Sequence, residues 1–135
     1  MIPVLIYGTL KRGFPLHEKG LAGLDPLGHY QTVEPYPLYI AMSFFGPVML
    51  DRPGEGLVVQ GELYEVEEAR LRVLDGLENV GDPGSFRSQL LVEPVGGGVS
   101  LEAVGFMKDE SWLQPIQSDY LSDYQDRRFI PAWER

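Results

Sequence analysis

Apolar and β-branched residues fall in short runs along this chain, and most of the runs stop at glycine or proline. The first run, Val4-Leu5-Ile6-Tyr7, predicts a strand, which breaks into Gly8-Thr9-Leu10 and then Lys11-Arg12-Gly13. Leu16–Leu24 reads as a short helix or a loop. Extended segments follow at Gly28–Val33, Leu38–Ile40 and Pro47–Leu50, and the stretch Asp51–Gly56 is dense in turn formers. Leu57–Glu65 (LVVQGELYE) is read as a strand. Val66–Glu78 is the main predicted helix, because Leu71, Leu74 and Leu77 recur at helical spacing and Glu67 and Glu68 suit the positive end of its dipole. A turn at Gly81–Gly84 closes that unit. Phe86–Val95 and Val99–Met107 then form an expected hairpin through Gly96-Gly97-Gly98. The aromatic stretch Ser111–Arg135 is expected to lie as an ordered tail over the body. Many strands and one good helix make the fold class α+β, with a small, strongly curved or closed sheet, a β-barrel in the limit.

Composition narrows the function. A chain of 135 residues is expected to be one domain, 1–135, with a core that needs no staples. It holds no cysteine, which excludes disulfides, thiolate metal sites and a cysteine nucleophile, and fits a reducing compartment such as the cytoplasm. The opening apolar stretch is only about half a dozen residues, too short for a signal segment or a membrane span, and no other run approaches the ~20 a spanning helix needs. A net charge of −9 argues against binding a nucleic-acid backbone. Partners are therefore expected to be small molecules, with no membrane and no nucleic acid. Nothing in the pattern sets an oligomeric state.

Most searches for catalytic chemistry return nothing. His17 and His29 belong to no metal-binding spacing, so no metal site is expected. There is no GxSxG elbow, and the triple glycine joins two strands rather than leading from a strand into a helix. Glu78 stands apart. It lies four residues after Leu74 and seven after Leu71, so it extends the apolar stripe at the helix C-terminal end. Either the helix has frayed by that point and Glu78 is solvated, or its carboxylate meets both the core and the negative end of the dipole. The second case raises its pKa toward that of a neutral-pH general base. Gly8-Thr9-Leu10 is similarly either a plain turn or an open loop whose unpaired N–H groups bind an oxyanion. Lys11-Arg12 behind it is an exposed basic pair or an anion clamp.

Together these segments form a pattern. Tyr7-Gly8-Thr9-Leu10-Lys11-Arg12-Gly13, then Gly61-Glu62-Leu63-Tyr64-Glu65-Val66, then Leu74-Asp75-Gly76-Leu77-Glu78 resemble the gamma-glutamyl cyclotransferase-like family. Glu34-Pro35-Tyr36-Pro37-Leu38, Pro53-Gly54-Glu55-Gly56 and Arg128-Phe129-Ile130-Pro131 look like the branch that acts on gamma-glutamylamines. The resemblance implies a small mixed β-barrel with a pocket at one end and no cofactor. It implies conversion of a gamma-glutamylamine to 5-oxoproline and a free amine, by attack of the α-amino group on the γ-amide. By position, Glu78 would be the catalytic base, and Tyr7, Gly8, Thr9 and Leu10 the substrate-binding loop. Removal of a gamma-glutamyl group from a biosynthetic or catabolic intermediate, and a silent ligand- or protein-binding member of the fold, are the alternatives. Two departures stand out. Where the family shows Tyr-x-Arg, this chain has Ser85-Phe86-Arg87, the tyrosine being lost or shifted to Phe86. Lys108 also stands where relatives often carry an aromatic residue.

Overall fold

The computed structural model describes residues Met1–Arg135. Its elements are β1 (Ile2–Ile6), α1 (His17–Gly20), β2 (Gly28–Tyr36), β3 (Leu38–Ala41), β4 (Gly46–Met49), β5 (Leu57–Val66), α2 (Glu68–Leu77), β6 (Ser85–Pro94) and β7 (Leu101–Lys108), followed by single 3-10 turns at Glu110–Trp112 and Ala132–Glu134. The strands β1-β5-β2-β6-β7 close into a barrel, and β3 and β4 pair as a separate hairpin. All barrel pairings are antiparallel except the closing one, where β7 meets β1 in parallel through Val104 and Val4.

The unbroken apolar run of β1 has a simple cause: it is buried on both faces. Leu5 joins Val59, Leu63, Val92, Ala103 and Met107 in the core that gathers residues from all the barrel strands. Val4 and Ile6 point the other way, to Tyr64, Val66, Val104 and Phe106, where Leu71 and Leu74 of α2 cover them. The helix thus lies against one outer side of the barrel, which delivers its C-terminal end to the barrel's rim. Gly61 permits the tight β1–β5 pairing: a Cβ there would sit 2.4 Å from the Ile6 carbonyl oxygen.

Several expected boundaries move. The helix is shorter than Val66–Glu78, because Val66 pairs with Ile2 in the sheet and Glu67 is an extended N-cap. Only His17–Gly20 of the stretch Leu16–Leu24 is helical. β2 runs past Val33 to Tyr36 through an irregularity between Gln31 and Pro35. Thr32 stitches that bulge, accepting from the Val59 N–H at 3.0 Å and donating to the Glu34 carbonyl at 2.6 Å. The hairpin between β6 and β7 forms as expected, with Gly96, Gly97 and Gly98 all at positive φ. The tail also packs: Tyr124 is fully buried in the barrel core. Its approach is fixed by bonds from Gln60 N–H to Ser122 O (2.7 Å) and from Leu121 N–H to Leu38 O (2.8 Å).

Candidate functional site

The C-terminal end of α2 is locked rather than frayed. Asn79 takes the left-handed conformation (φ 61) just past the helix. Its N–H donates to Gly76 O at 3.3 Å and the Val80 N–H to Asp75 O at 2.9 Å, the pair of bonds that defines a Schellman stop. Glu78 is the C-cap, with its own N–H on Leu74 O at 2.9 Å. Its carbonyl is held from the sheet as well: Ser85 Oγ donates to it at 2.9 Å, and Lys108 Nζ donates to it too. Lys108 Nζ also donates to Ser85 Oγ at 2.8 Å, and these two residues face each other across β6 and β7.

The carboxylate is therefore aimed by fixed backbone. Burial raises its pKa above the ordinary carboxylate value, and the nearby Lys108 charge partly opposes that shift. Burial lowers the Lys108 pKa in turn, against the pull of Glu78 and Asp82. No protein donor bonds to the carboxylate oxygens of Glu78, whose only side-chain partners reach its carbonyl.

At the end of β1 the chain turns back, with Lys11 N–H on Gly8 O and Leu16 N–H on Thr9 O, each at 3.0 Å. The N–H groups of Tyr7, Gly8, Thr9 and Leu10 donate to no backbone or side-chain acceptor in the protein. Gly8 lies so close to β4 that a Cβ there would meet Pro47 Cγ at 2.7 Å. The side chains of this loop are otherwise occupied. Tyr7 is in the barrel core and donates to Phe106 O at 2.6 Å. Burial first, and the Glu78 charge second, hold its pKa well above the usual tyrosine value, so the phenol keeps its proton. Leu10 is buried beneath α2.

A cavity of about 230 Å³ brings Thr9 and Glu78 together, with Asn79 and Lys108 beside them. The β3–β4 hairpin contributes Phe44, Gly46 and Pro47, and the tail contributes Phe129, Ala132, Trp133 and Arg135. Of the four loop residues singled out in the sequence, Thr9 alone lines this cavity. Lys11 and Arg12 do not form an anion clamp. Lys11 is spent on Asp123 (3.1 Å) and Tyr124 O (2.6 Å), and Arg12 on Asp25 and Leu24 O. His17 is a buried structural residue, its Nδ1 2.9 Å from Leu10 O.

Phe86 does not line this cavity and is partly exposed, while Arg87 ties β6 to α2 through Asp75 at 3.0 Å. The two departures noted in the sequence, Ser85 and Lys108, prove to be a single hydrogen-bonded unit beneath Glu78. Sequence reasoning missed Lys108 as a support for the helix end; it weighed Asp119–Tyr124 as packing on the barrel or covering the pocket, whereas the cavity wall comes from Phe129, Ala132, Trp133 and Arg135. The signal for the first was its strand partner, since Ser85 and Lys108 stand opposite in the register that the hairpin imposes.

Comparison with known proteins identifies the family and the fold. The model of the family described as "Gamma-glutamyl cyclotransferase, AIG2-like" matches residues 4–127. A bovine protein named gamma-glutamylaminecyclotransferase is 37% identical over 131 residues, covering 94% of this chain and 77% of its own length. The human protein of the same name is 45% identical over 85 residues, covering 58% of this chain and 54% of its own length. The crystal structure of a mouse aig2-like protein superposes with a TM-score of 0.82 at 33% identity, covering 100% of this chain and 99% of that one. With the match running from the first strand into the tail, the chain belongs to the gamma-glutamyl cyclotransferase, AIG2-like family.

Proposed function

We propose that this protein is a cofactor-free cyclotransferase that converts a gamma-glutamylamine to 5-oxoproline and a free amine. The observation that carries the reading is the shared cavity of Thr9 and Glu78, one from a loop rich in unbonded N–H groups and the other a carboxylate free of protein donors. The α-ammonium of the substrate is no nucleophile until it loses a proton, and Glu78, its pKa raised by burial, takes that proton. The freed amine attacks the γ-carbonyl carbon, a C–N bond forms in the five-membered ring, and the amide C–N bond to the leaving amine breaks. The ring nitrogen gives up a further proton as it becomes the lactam N–H. Glu78 passes the protons to the departing nitrogen, so no water is consumed.

Two further contributions fit the same parts. The N–H groups of the Tyr7–Leu10 loop hold the substrate carboxylate or the oxyanion that develops on the γ-carbonyl. Holding the substrate curled does much of the rest, since well-oriented internal reactions reach effective molarities of about 10⁵–10⁸ M. We take residues 1–135 to be one domain acting in the cytoplasm on small molecules, in keeping with a chain that lacks cysteine and carries a net charge of −9. No helix is long and apolar enough to cross a membrane.

The test is 5-oxoproline release from a panel of gamma-glutamyl amines and peptides. The wild type is expected to release it from at least one. A wild type that is silent across the panel yet binds one of its members would leave a ligand-binding role instead.

A further inference from the structure

Three basic side chains, Lys19, Lys108 and Arg135, line the cavity that holds Glu78. None of them forms an ion pair, whereas Lys11, Arg12, Arg52, Arg72, Arg87 and Arg128 all do; outside the cavity only Arg70 and Arg127 share this, each donating to a backbone carbonyl. That is a notable concentration in a chain with 20 acidic residues against 11 basic ones. Each of the three rests on an aromatic face instead: Lys19 over Trp133 at 4.6 Å, Lys108 over Trp112 at 4.8 Å and Arg135 over Phe44 at 3.6 Å. A ring face positions a cation without neutralising it.

Lys108 forms the buried floor, beside the backbone of Glu78, and spends two of its three donors there. Lys19 and Arg135 stand at the exposed mouth. Burial holds the Lys108 and Arg135 pKa values below their ordinary levels, as expected of charges that lack a full counter-charge. Apart from Glu78 itself, the lining contains no carboxylate side chain. Three cations against the single carboxylate of Glu78 thus line the path from the reacting centre to the opening, between walls supplied by Phe44, Leu77, Phe129 and Trp133, and that excess favours a negative group there.

On the cyclotransferase reading above, the glutamyl half lies between Glu78 and the loop amides, and the amine half extends along this path. We infer that the amine half of the substrate carries an acidic group on an apolar or aromatic body, received by Lys19, Lys108 and Arg135. An amine half with excess positive charge, such as a diamine, is disfavoured.

Four compounds that differ in one group test this. They are the gamma-glutamyl amides of phenethylamine, of phenylalanine, of 4-(2-aminoethyl)benzoate and of 4-(aminomethyl)phenethylamine. The first is neutral in its amine half, the next two are acidic and the last is cationic. At low salt, the better acidic compound is expected to exceed the neutral parent in kcat/KM by about tenfold or more, the low end of one hydrogen bond to a charged group. The cationic compound should fall below the parent. Lys19→Met and Arg135→Met should each shrink the acidic-to-neutral ratio several-fold, and added salt should shrink it as well. A neutral parent that is turned over as well as both acidic compounds overturns the inference and leaves the cyclotransferase reading standing. Release of 5-oxoproline from none of the four, with no other gamma-glutamyl amine active either, overturns both.

Discussion

Glu78 and Trp133 border the same cavity but are supported in different ways. Glu78 is held by a helix stop with two backbone bonds, by Ser85 and Lys108 on its carbonyl, and by a helix whose Leu71 and Leu74 are buried against the barrel. Trp133 sits 54% exposed on a single 3-10 turn, joined to the body by the Ile130 N–H bond to Phe44 O and by ring contacts with Lys19. Groups that must meet a reacting atom gain from rigid supports, because geometry matters to fractions of an ångström. A wall that only receives part of a substrate tolerates a looser one, and few buried contacts make it the more mobile. On the proposed reading, the barrel and α2 would fix the reaction geometry, and the tail, with Lys19 and Lys108, would set selectivity.

The severest test of this division is Glu78→Gln. It keeps the shape and removes the base, so 5-oxoproline formation is expected to fall by at least about 10²-fold, within the range of general acid–base catalysis. Folding should not suffer. The Glu78 pKa is raised in the folded protein, so its ionisation opposes folding. That cost is absent below the ordinary glutamate pKa of about 4.3 and complete above the raised folded value. The glutamine variant should therefore match or exceed the wild type in Tm at neutral pH, with the gap closing in acid. An active variant, or one that unfolds at neutral pH, breaks the assignment.

Lys108→Met comes next, because it touches both the pin and the charge. Lys108 opposes the burial shift of Glu78. Its loss should raise the Glu78 pKa further and move the acid limb of kcat to higher pH. A drop of about tenfold in kcat at neutral pH corresponds to about 1.4 kcal/mol, in line with one bond to a charged group. An acid limb that stays in place would reduce Lys108 to a packing residue.

Much of the rigid side was legible in the sequence. Leu71, Leu74 and Leu77 announced α2 through their spacing, and Glu78 followed as the next residue on that stripe. Gly8 marked the end of β1 because a run of apolar residues stopped there. The rest depended on contacts that leave no periodic trace. Val66 belongs to β5 rather than to the helix because Ile2 pairs with it, a partner 64 positions away. β3 and β4 read as two more strands, and nothing in Leu38–Ala41 or Gly46–Met49 says that they leave the barrel. Lys11-Arg12 stood between an exposed basic pair and an anion clamp, because the letters alone do not show which side chains are already taken; Asp123 and Tyr124 O hold a buried Lys11, and Asp25 and Leu24 O hold an exposed Arg12. The tail's aromatics predicted packing, which Tyr124 provides, but not that Phe129 and Trp133 would line the cavity.

Asn79 probes the link between helix stop and base with a smaller effect. Its φ of 61 is tolerated by asparagine and free for glycine, but costs a β-branched residue roughly 1–2 kcal/mol. Asn79→Val should lower Tm by several degrees and reduce kcat, since the cap that aims Glu78 is strained. Asn79→Gly should hold Tm close to the wild type. If Asn79→Val loses stability with kcat unchanged, the stop holds the helix but does not aim the carboxylate.

Trp133→Ala should have the mildest consequences. The indole lies over no part of the reacting centre's support, and its loss removes a ring face from Lys19 and part of the cavity wall. Interactions that bind substrate and transition state alike change KM and leave kcat nearly as it was. An increase in KM of a few-fold is therefore expected, on the order of 1 kcal/mol of lost contact, with kcat within about twofold of the wild type. Steady-state kinetics on one good substrate separates the two parameters. If kcat falls instead and KM stays constant, the tail takes part in the chemical step, and the division between a rigid reacting wall and a looser selecting wall no longer holds.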